Sequence, residues 1–242
     1  MIAIKVEALT KKYKDIVAVD NLNLEINKGE LFSLLGVNGA GKTTTIKMLS
    51  CLTQATQGDA FLLGKSIKGN TSEVKSFIAV SPQETAIARG LSVRENLEFM
   101  CGIYGFSKEK TKTKITELSQ TLGLENVIEK KANKLSGGYA RRLSIAMALI
   151  SEPQILFLDE PTLGLDIIAR SELWDIIKSL KGKITIILTT HYMEEAEELS
   201  NRIAIMKDGK LLICDTPDAI KMHTNESSIE KAFIKVVKGG ER

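Results

Sequence analysis

Hydrophobic and polar positions along the chain predict two kinds of strand. Residues 22–27 alternate apolar and polar side chains, as in a strand with one exposed face, and residues 2–9 do so more weakly. The runs 31–35 and 155–158 are predominantly apolar, as in strands buried on both faces. The other predicted strands are residues 59–63, 77–81, 183–189, 203–206 and 211–214, with a hairpin turn at Asp208-Gly209 between the last two.

Capping residues and apolar side chains at helical spacing predict helices between these strands. Ser92 and Glu95 form a capping box for a helix that runs towards Gly105, and Ser107 caps another helix that ends at Gly123. The other predicted helices are residues 44–49, 140–150, 169–180, a short helix after Thr216-Pro217, and 229–237.

Residues 92–151 differ from the rest of the chain because they contain predicted helices and no predicted strand. Within them, residues 108–114 carry five charges and are predicted to form a solvated helix face. The acidic residues 194–198 predict another such face. Trp174 is predicted to be a packing residue rather than to take part in chemistry.

Composition and charge fit an ordinary globular protein. The chain has 242 residues, 43% hydrophobic and 26% charged, enough for one large domain or two lobes. The net charge of +3 gives no reason to expect nucleic acid as a partner. The three cysteines lack metal-ligand spacing and are expected to be reduced thiols. No apolar run approaches about 18 residues and no signal peptide is recognisable, so we expect a soluble cytoplasmic chain.

The clearest chemical pattern is a glycine-rich loop that reads G-x-x-x-x-G-K-T. It lies between the predicted strand 31–35 and the predicted helix 44–49, as a phosphate-binding P-loop requires. Glycines let successive backbone N–H groups point at one anion, while Lys42 adds a cation and Thr43 a hydroxyl for Mg²⁺. The loop consists of Gly36, Val37, Asn38, Gly39, Ala40, Gly41, Lys42 and Thr43. This pattern predicts nucleotide binding.

Polar residues follow two other predicted strands, on the ligand side of an α/β sheet. Asp159 and Glu160 come directly after the run 155–158. There, Asp159 is placed to hold Mg²⁺ through water and Glu160 to polarise an attacking water. His191 follows the strand 183–189 and lies within reach of a γ-phosphate if the sheet is parallel.

Gln83 and Tyr13 indicate nucleotide binding only when they occur together with the motifs described above. Gln83 lies just past the strand 77–81, again on the ligand side of the sheet. Tyr13 belongs to a basic segment, residues 11–14, between the first two strands. It is either an ordinary surface residue or an aromatic side chain that stacks on a base.

A second helix start could also meet an anion. Ser136, Gly137 and Gly138 precede the helix 140–150, and the N–H groups at a helix N-terminus attract negative charge. The alternative is an ordinary serine cap with flexible glycines. No second phosphate-binding lysine is found nearby.

Taken in order, these motifs resemble the ATP-binding subunits of ABC transporters over almost the whole chain. The motifs are the P-loop, Gln83, Leu-Ser-Gly-Gly at 135–138, Asp159-Glu160, Thr162-Leu163-Gly164-Leu165-Asp166 and His191. The resemblance implies an α/β fold with a P-loop NTPase core, a mainly parallel sheet, an N-terminal antiparallel β subdomain and an inserted α-helical subdomain. It implies a cassette at 1–222, with the helical subdomain at about 84–152, and a C-terminal tail with a short helix at 223–242.

The resemblance also implies roles for single residues. Tyr13 would stack on adenine with Val19 beside the base, and Asp166 would couple two sites across a dimer. Gln83 would reach Mg²⁺ and sense a membrane partner, and His191 would contact the γ-phosphate and hold the attacking water. The implied nucleotide-binding residues are Tyr13, Val19, residues 36–43, Thr44, Gln83, Asp159, Asp166 and, from the other subunit, Ser136, Gly137 and Gly138. The implied metal ligands are Thr43, Gln83 and Asp159, and the implied catalytic residues are Lys42, Glu160 and His191.

The resemblance implies transport driven by ATP hydrolysis, with ATP and Mg²⁺ as the bound cofactors. The chain would bind and hydrolyse ATP, form a homodimer on binding it, and power a separate integral membrane permease docked on residues 92–151. This would hold it at the inner face of the cell membrane. Residues 189–197 and 229–233 resemble the drug-, antibiotic- and sodium-exporter branch.

Three residues depart from the family pattern. Tyr139 stands where many relatives have Gln, and Val37 and Ile167 stand where Pro is common. None of these changes removes a charged or metal-binding group, so activity is expected.

Two other functions remain as alternatives. A soluble ABC protein acting on ribosomes or DNA usually holds two cassettes or a long coiled coil, and this chain has one cassette without sustained heptads. A module that holds ATP without hydrolysing it would be favoured by loss of Glu160 or His191, and both are present.

Overall fold

The computed structural model describes residues 1–239, which form ten strands and nine α-helices. The strands are β1 (Ile2–Tyr13), β2 (Ile16–Asn27), β3 (Leu31–Leu35), β4 (Gln57–Leu62), β5 (Lys65–Ser66), β6 (Ile78–Ser81), β7 (Ile155–Asp159), β8 (Thr185–Thr190), β9 (Arg202–Lys207) and β10 (Lys210–Asp215). The helices are α1 (Lys42–Leu49), α2 (Thr71–Phe77), α3 (Val93–Ile103), α4 (Lys108–Thr121), α5 (Gly137–Leu149), α6 (Ile167–Leu180), α7 (Met193–Leu199), α8 (Pro217–Thr224) and α9 (Ile229–Gly239). This is the predicted α/β class.

The first sheet is antiparallel, in the order β2-β1-β4-β5, and both of its long strands extend beyond their predicted bounds. Lys11, Lys12 and Tyr13 pair with Val19, Val17 and Ile16, so the first three residues of the basic segment expected between the strands are themselves strand, and Lys14 lies in the turn. Its pairing comes from backbone hydrogen bonds, and its largely exposed side chains leave no alternating pattern in the sequence.

The second sheet has six strands in the order β10-β9-β3-β8-β7-β6, and all neighbours are parallel except β9 and β10. Its register sets Ser81 opposite Leu158, Asp159 opposite Thr189, and Leu35 opposite Thr190. The residues that follow β3, β6, β7 and β8 therefore meet at one edge of the sheet.

Both faces of this parallel sheet are covered. Ile155 and Phe157 of β7 belong to the core beneath the antiparallel sheet, whereas Leu156 and Leu158 belong to the core beneath the helices α3 to α6. Successive side chains of a strand point to opposite faces, so every residue of β7 is buried. This explains the uniformly apolar run that precedes Asp159.

Helices α3, α4 and α5 lie between β6 and β7 in the chain, and α3 begins with the predicted Ser92–Glu95 capping box. The solvated face predicted for residues 108–114 is wrong at Lys114, whose side chain is largely buried. Its Nζ lies 3.2 Å from a carboxylate oxygen of Glu117 and 3.1 Å from one of Glu152. These two partners compensate for the charge that packing removes from water.

The C-terminal helices form a smaller core with the large sheet. Ile220 of α8 and Phe233 of α9 pack in the cluster that contains Leu35 and Ala196. The last three residues of the predicted tail 223–242, numbers 240–242, lie outside the described residues. The acidic face predicted at 194–198 is wrong at Glu195, which is fully buried because α6 covers that side of α7.

Candidate functional site

The glycine-rich loop joins β3 to α1 at the edge of the large sheet, and two of its glycines have no room for a side chain. A Cβ on Gly36 would lie 2.5 Å from the carbonyl oxygen of Met206, and one on Gly41 would lie 2.5 Å from that of Ala18. Gly41 also has a φ of 100°, in the region that favours glycine. The loop borders a cavity of about 720 Å³, lined among others by residues 38–44, which we call the P-loop groove.

One end of the P-loop groove is apolar and aromatic. Tyr13 lines it together with Ile16, Val17 and Ala18, which the sequence did not single out. Val19 does not line the groove, because its side chain is fully buried behind the loop. The Nζ of Lys11 lies 4.8 Å from the centre of the Tyr13 ring. A half-exposed aromatic ring beside small apolar side chains offers a flat surface for a base.

Lys42 is buried beneath the loop, in the first turn of α1. Its Nζ donates to the carbonyl oxygens of Gly36, at 2.8 Å, and Val37, at 3.3 Å. It also lies 3.3 Å from Glu160 Oε1 in a buried ion pair. Val37 itself is exposed. The ammonium is therefore held at the floor of the P-loop groove, opposite a carboxylate.

Asp159 ends β7 with its carboxylate buried and held by two hydroxyls. Thr43 Oγ1 donates to Asp159 Oδ1 at 3.1 Å, and Thr189 Oγ1 donates to the same oxygen at 2.6 Å. Thr189 lies opposite Asp159 on β8 and was not singled out from the sequence. Threonine is common in strands, so only the pairing register reveals its contact with the acid.

Glu160 is the next residue, and it adopts a left-handed conformation with a φ of 48°. Its N–H donates to Thr189 Oγ1 at 3.0 Å, which fixes the turn against β8. Its Oε2 lies 2.7 Å from His191 Nδ1, so the carboxylate lies between Lys42 and His191. A strained backbone held by a buried hydrogen bond points this side chain into the P-loop groove.

Gln83 follows β6 and also lines the P-loop groove. Its backbone carbonyl and that of Pro82 both accept hydrogen bonds at 2.8 Å from Arg141 of α5. Burial lowers the pKa of Arg141, and nearby Asp159 opposes that shift. Arg141 thus fixes the Gln83 segment to α5, a contact that the sequence did not predict.

The remaining predicted site residues form a separate cluster outside the P-loop groove. Ser136 caps α5 through Tyr139 N, and Asp166 caps α6 through Ala169 N at 2.9 Å. Gly137 and Gly138 allow these two helix starts to approach, because added Cβ atoms would lie 3.3 Å from Leu165 Cδ2 and 3.1 Å from Ala169 Cβ. We call Ser136, Gly137, Gly138 and Asp166 the signature cluster. One chain thus presents two separate sets of candidate residues.

This fold and this groove define the chain as a P-loop nucleotide-binding protein. A family model described as ABC transporter matches residues 19–163, and a model described as AAA domain, putative AbiEii toxin, Type IV TA system matches residues 131–196. The first match spans more than half of the sequence, so the chain belongs to the ABC transporter family.

Two named relatives are similar over nearly all of this chain. A probable multidrug ABC transporter ATP-binding protein of Escherichia coli (strain K12) is 38% identical over 240 residues, which are 97% of this chain and 41% of that protein. The daunorubicin resistance ATP-binding protein DrrA2 of Streptomyces coeruleorubidus is 36% identical over 229 residues, which are 94% and 71% of the two chains. The chain spans about two fifths of the length of the first relative.

A solved structure supports the same assignment. It is the dimeric post-hydrolysis state of an ATP-binding cassette bound to ADP and Pi, with a TM-score of 0.79 and 28% identity. The match covers 88% of this chain and 98% of that one. Fold and family together make the chain an ABC-type ATP-binding cassette. No helix within residues 1–239 is long and apolar enough to cross a membrane.

Proposed function

We propose that the chain binds ATP in the P-loop groove and hydrolyses it to drive transport through a membrane partner. The backbone of residues 36–43 and the Lys42 ammonium would hold the phosphates, with Thr44 beside them. Tyr13 would stack on the adenine, with Ile16 and Val17 beside it. Gly36 and Gly41, where a Cβ would lie 2.5 Å from a backbone carbonyl oxygen, both belong to the loop that must curl around an anion, so the loop fits a nucleotide's phosphates.

The same edge of the sheet fits Mg²⁺. Thr43 and Asp159 offer a hydroxyl and a carboxylate at one point, Gln83 lines the same groove, and oxygen ligands of this kind suit Mg²⁺. When bound, the ion would neutralise charge that develops on the phosphate oxygens. Thr189 would keep the Asp159 carboxylate oriented towards it.

Glu160 is the residue we assign to activation of water. The observation that carries this assignment is its position between Lys42 at 3.3 Å and His191 at 2.7 Å. In this role the carboxylate accepts the proton of the attacking water, while His191 orients it and contacts the γ-phosphate. Lys42 leaves Glu160 for the phosphates when ATP binds. That exchange frees the carboxylate for water only when substrate is present.

The signature cluster supports a second proposal, that each site is completed by another copy of the chain. The start of α5 offers N–H groups and the Ser136 hydroxyl to an anion, yet none of these residues lines the chain's own P-loop groove. Two chains arranged head to tail would place each cluster over the partner's γ-phosphate, with Asp166 linking the two sites. A dimer is seen in the similar cassette of known structure.

Transport, and specifically export, is proposed from the relatives. The two named relatives are a probable multidrug ABC transporter protein and a daunorubicin resistance protein. The helices within residues 92–151 would dock an integral membrane permease. The chain would then lie on the inner face of the cell membrane through that partner.

Glu160→Gln tests the hydrolysis mechanism, because the amide keeps the shape of the side chain but cannot accept the proton. We expect turnover to fall by about a hundredfold or more, with ATP binding retained, measured by phosphate release and by fluorescent-nucleotide titration. Glu194→Gln removes the same charge from an exposed position of α7 and serves as the control. Turnover by Glu160→Gln at the rate of the parent would refute the assignment of Glu160.

A further inference from the structure

Helix α6 is joined to α7 and its N-cap residue by three contacts in register, at every fourth residue of α6 and at every third residue from 192 to 198. The Arg170 guanidinium lies 4.5 Å from the centre of the Tyr192 ring. Trp174 Nε1 donates to Glu195 Oε1 at 3.0 Å, and Lys178 forms an ion pair with Glu198. These spacings are one turn on each helix, so the two facing surfaces are tied along their length.

The central contact is unusual because Glu195 is fully buried. Its Oε2 has no hydrogen bond to any residue in 1–239, and neither has the Oγ1 of buried Thr162, although the Thr162 and Thr190 hydroxyls lie beside the carboxyl. Burial raises the pKa of Glu195, which favours the neutral acid. A neutral carboxyl accepts from Trp174 with one oxygen and can donate its proton towards Thr162 with the other.

Glu195 lies near Glu160, and short stretches of chain connect its surroundings to both residues proposed to handle water. It is four residues after His191, and Thr162 is two residues after Glu160. Glu195 does not line the P-loop groove, so it cannot touch the nucleotide. Its partner Trp174 lies on α6, the helix that Asp166 caps. The carboxyl belongs to the helix that follows His191. It is packed against the loop that follows Glu160 and against the helix that follows Asp166.

We propose that Glu195 is a positioning residue, a buried carboxyl that fixes His191 and Glu160 relative to each other and to α6. The proposal rests on the roles given above to His191 and Glu160. It assigns Glu195 a hydrogen-bonding function in hydrolysis that needs the neutral acid and not the negative charge. Because Asp166 caps α6, the same contact ties the water-handling pair to the signature cluster.

Substitutions at Glu195 separate a positioning role from a purely structural one. Glu195→Gln keeps an acceptor for Trp174 and a donor for Thr162, so its kcat should stay within about twofold of the parent. Glu195→Ala loses both, and its kcat should fall by about tenfold while the KM for ATP stays unchanged. Glu194→Ala, an exposed glutamate on the same helix, is the matched control and should change neither constant.

The chain offers a second readout that does not depend on hydrolysis. Trp174 is the single tryptophan of the sequence, so intrinsic emission reports on its indole alone. Glu195→Ala should shift the emission maximum of the folded protein, and Glu195→Gln and Glu194→Ala should not. This readout stands even if Glu160→Gln shows that another group activates the water.

Two outcomes would overturn the proposal. One is a parental kcat in Glu195→Ala together with a lowered melting temperature, which indicates a structural role only. The other is an equal fall in kcat for Glu195→Gln and Glu195→Ala, which indicates that the charge is needed. If Glu195→Ala does not fold, Trp174→Phe decides, because it keeps an aromatic ring and removes the indole N–H donor to Glu195. It should lower kcat with KM unchanged, and a parental kcat would overturn the proposal.

Discussion

The Thr189 hydroxyl links Asp159 to the backbone of Glu160, and Thr189→Val removes that link with little change in side-chain volume. The hydroxyl donates to Asp159 Oδ1 at 2.6 Å and accepts from Glu160 N at 3.0 Å, with Thr189 fully buried. Valine fills nearly the same space but can do neither. The substitution therefore tests the hydrogen bonds of the site and not the packing of β8.

The structure sets the expected magnitude. A hydrogen bond to a charged group contributes about 1.5–3 kcal/mol. The Glu160 N–H also lies 3.1 Å from the Thr189 carbonyl oxygen, so losing the hydroxyl leaves it a partner. We therefore expect a loss of about 2 kcal/mol, mostly from Asp159, which lowers the melting temperature by about 4–8 °C in a chain of this size. With Asp159 and Glu160 less constrained, kcat should fall by about tenfold.

The assays are thermal unfolding by circular dichroism and steady-state phosphate release. Thr185→Val is the matched control, since Thr185 is equally buried on β8 but its hydroxyl accepts from Gly29 N at the opposite end of the strand. The control should lower the melting temperature and leave kcat unchanged. A parental kcat in Thr189→Val, with a melting temperature like that of the control, would refute the reasoning.

Two further predictions concern the buried charges. Lys42→Ala removes the cation of the P-loop groove and leaves buried Glu160 without its ion-pair partner, so ATP affinity or turnover should fall at least about tenfold. The control is Lys47→Ala, at an exposed position five residues further along α1, which should bind and hydrolyse ATP like the parent. Equal behaviour of both variants in nucleotide titrations would contradict the P-loop assignment. Burial raises the pKa of Glu195, against the nearby hydroxyls of Thr190 and Thr162 and the Trp174 indole, so ionisation of this acid opposes folding. Glu195→Gln cannot ionise, so its stability relative to the parent should depend on pH, as measured by denaturant unfolding. Below the ordinary glutamate pKa of about 4.3 we expect no gain in stability over the parent, and above it a gain that grows as pH rises. A gain independent of pH would disprove this.

Local chemistry made much of the site predictable from sequence. Three segments can each be recognised from a few neighbouring residues. They are the glycine loop, the apolar run before Asp159 and Glu160, and the strand before His191. Parallel pairing then brings these segments together, as predicted, because their strands end at one sheet edge. The Ser92 capping box is likewise a local signal and was confirmed.

The residues that escaped prediction depend on contacts distant in sequence. Thr189 is one of several threonines in a strand, and only its register opposite Asp159 distinguishes it. Glu195 belongs to an acidic run that is typical of a solvated helix, and it is buried because α6 covers it. Val19 was expected beside the base, but it faces the core, while Ile16 to Ala18 line the groove.

The most direct test of a site completed across two chains is the mass of the Glu160→Gln protein, by sedimentation velocity with saturating ATP and Mg²⁺ and again with ADP. We expect a dimer with ATP, because the γ-phosphate bridges the P-loop groove and the partner's signature cluster, and a monomer with ADP. Adding Ser136→Arg should abolish the dimer and leave ATP binding by the single chain intact. A monomer with saturating ATP in the Glu160→Gln protein, or a dimer that persists with Ser136→Arg, would contradict the head-to-tail arrangement.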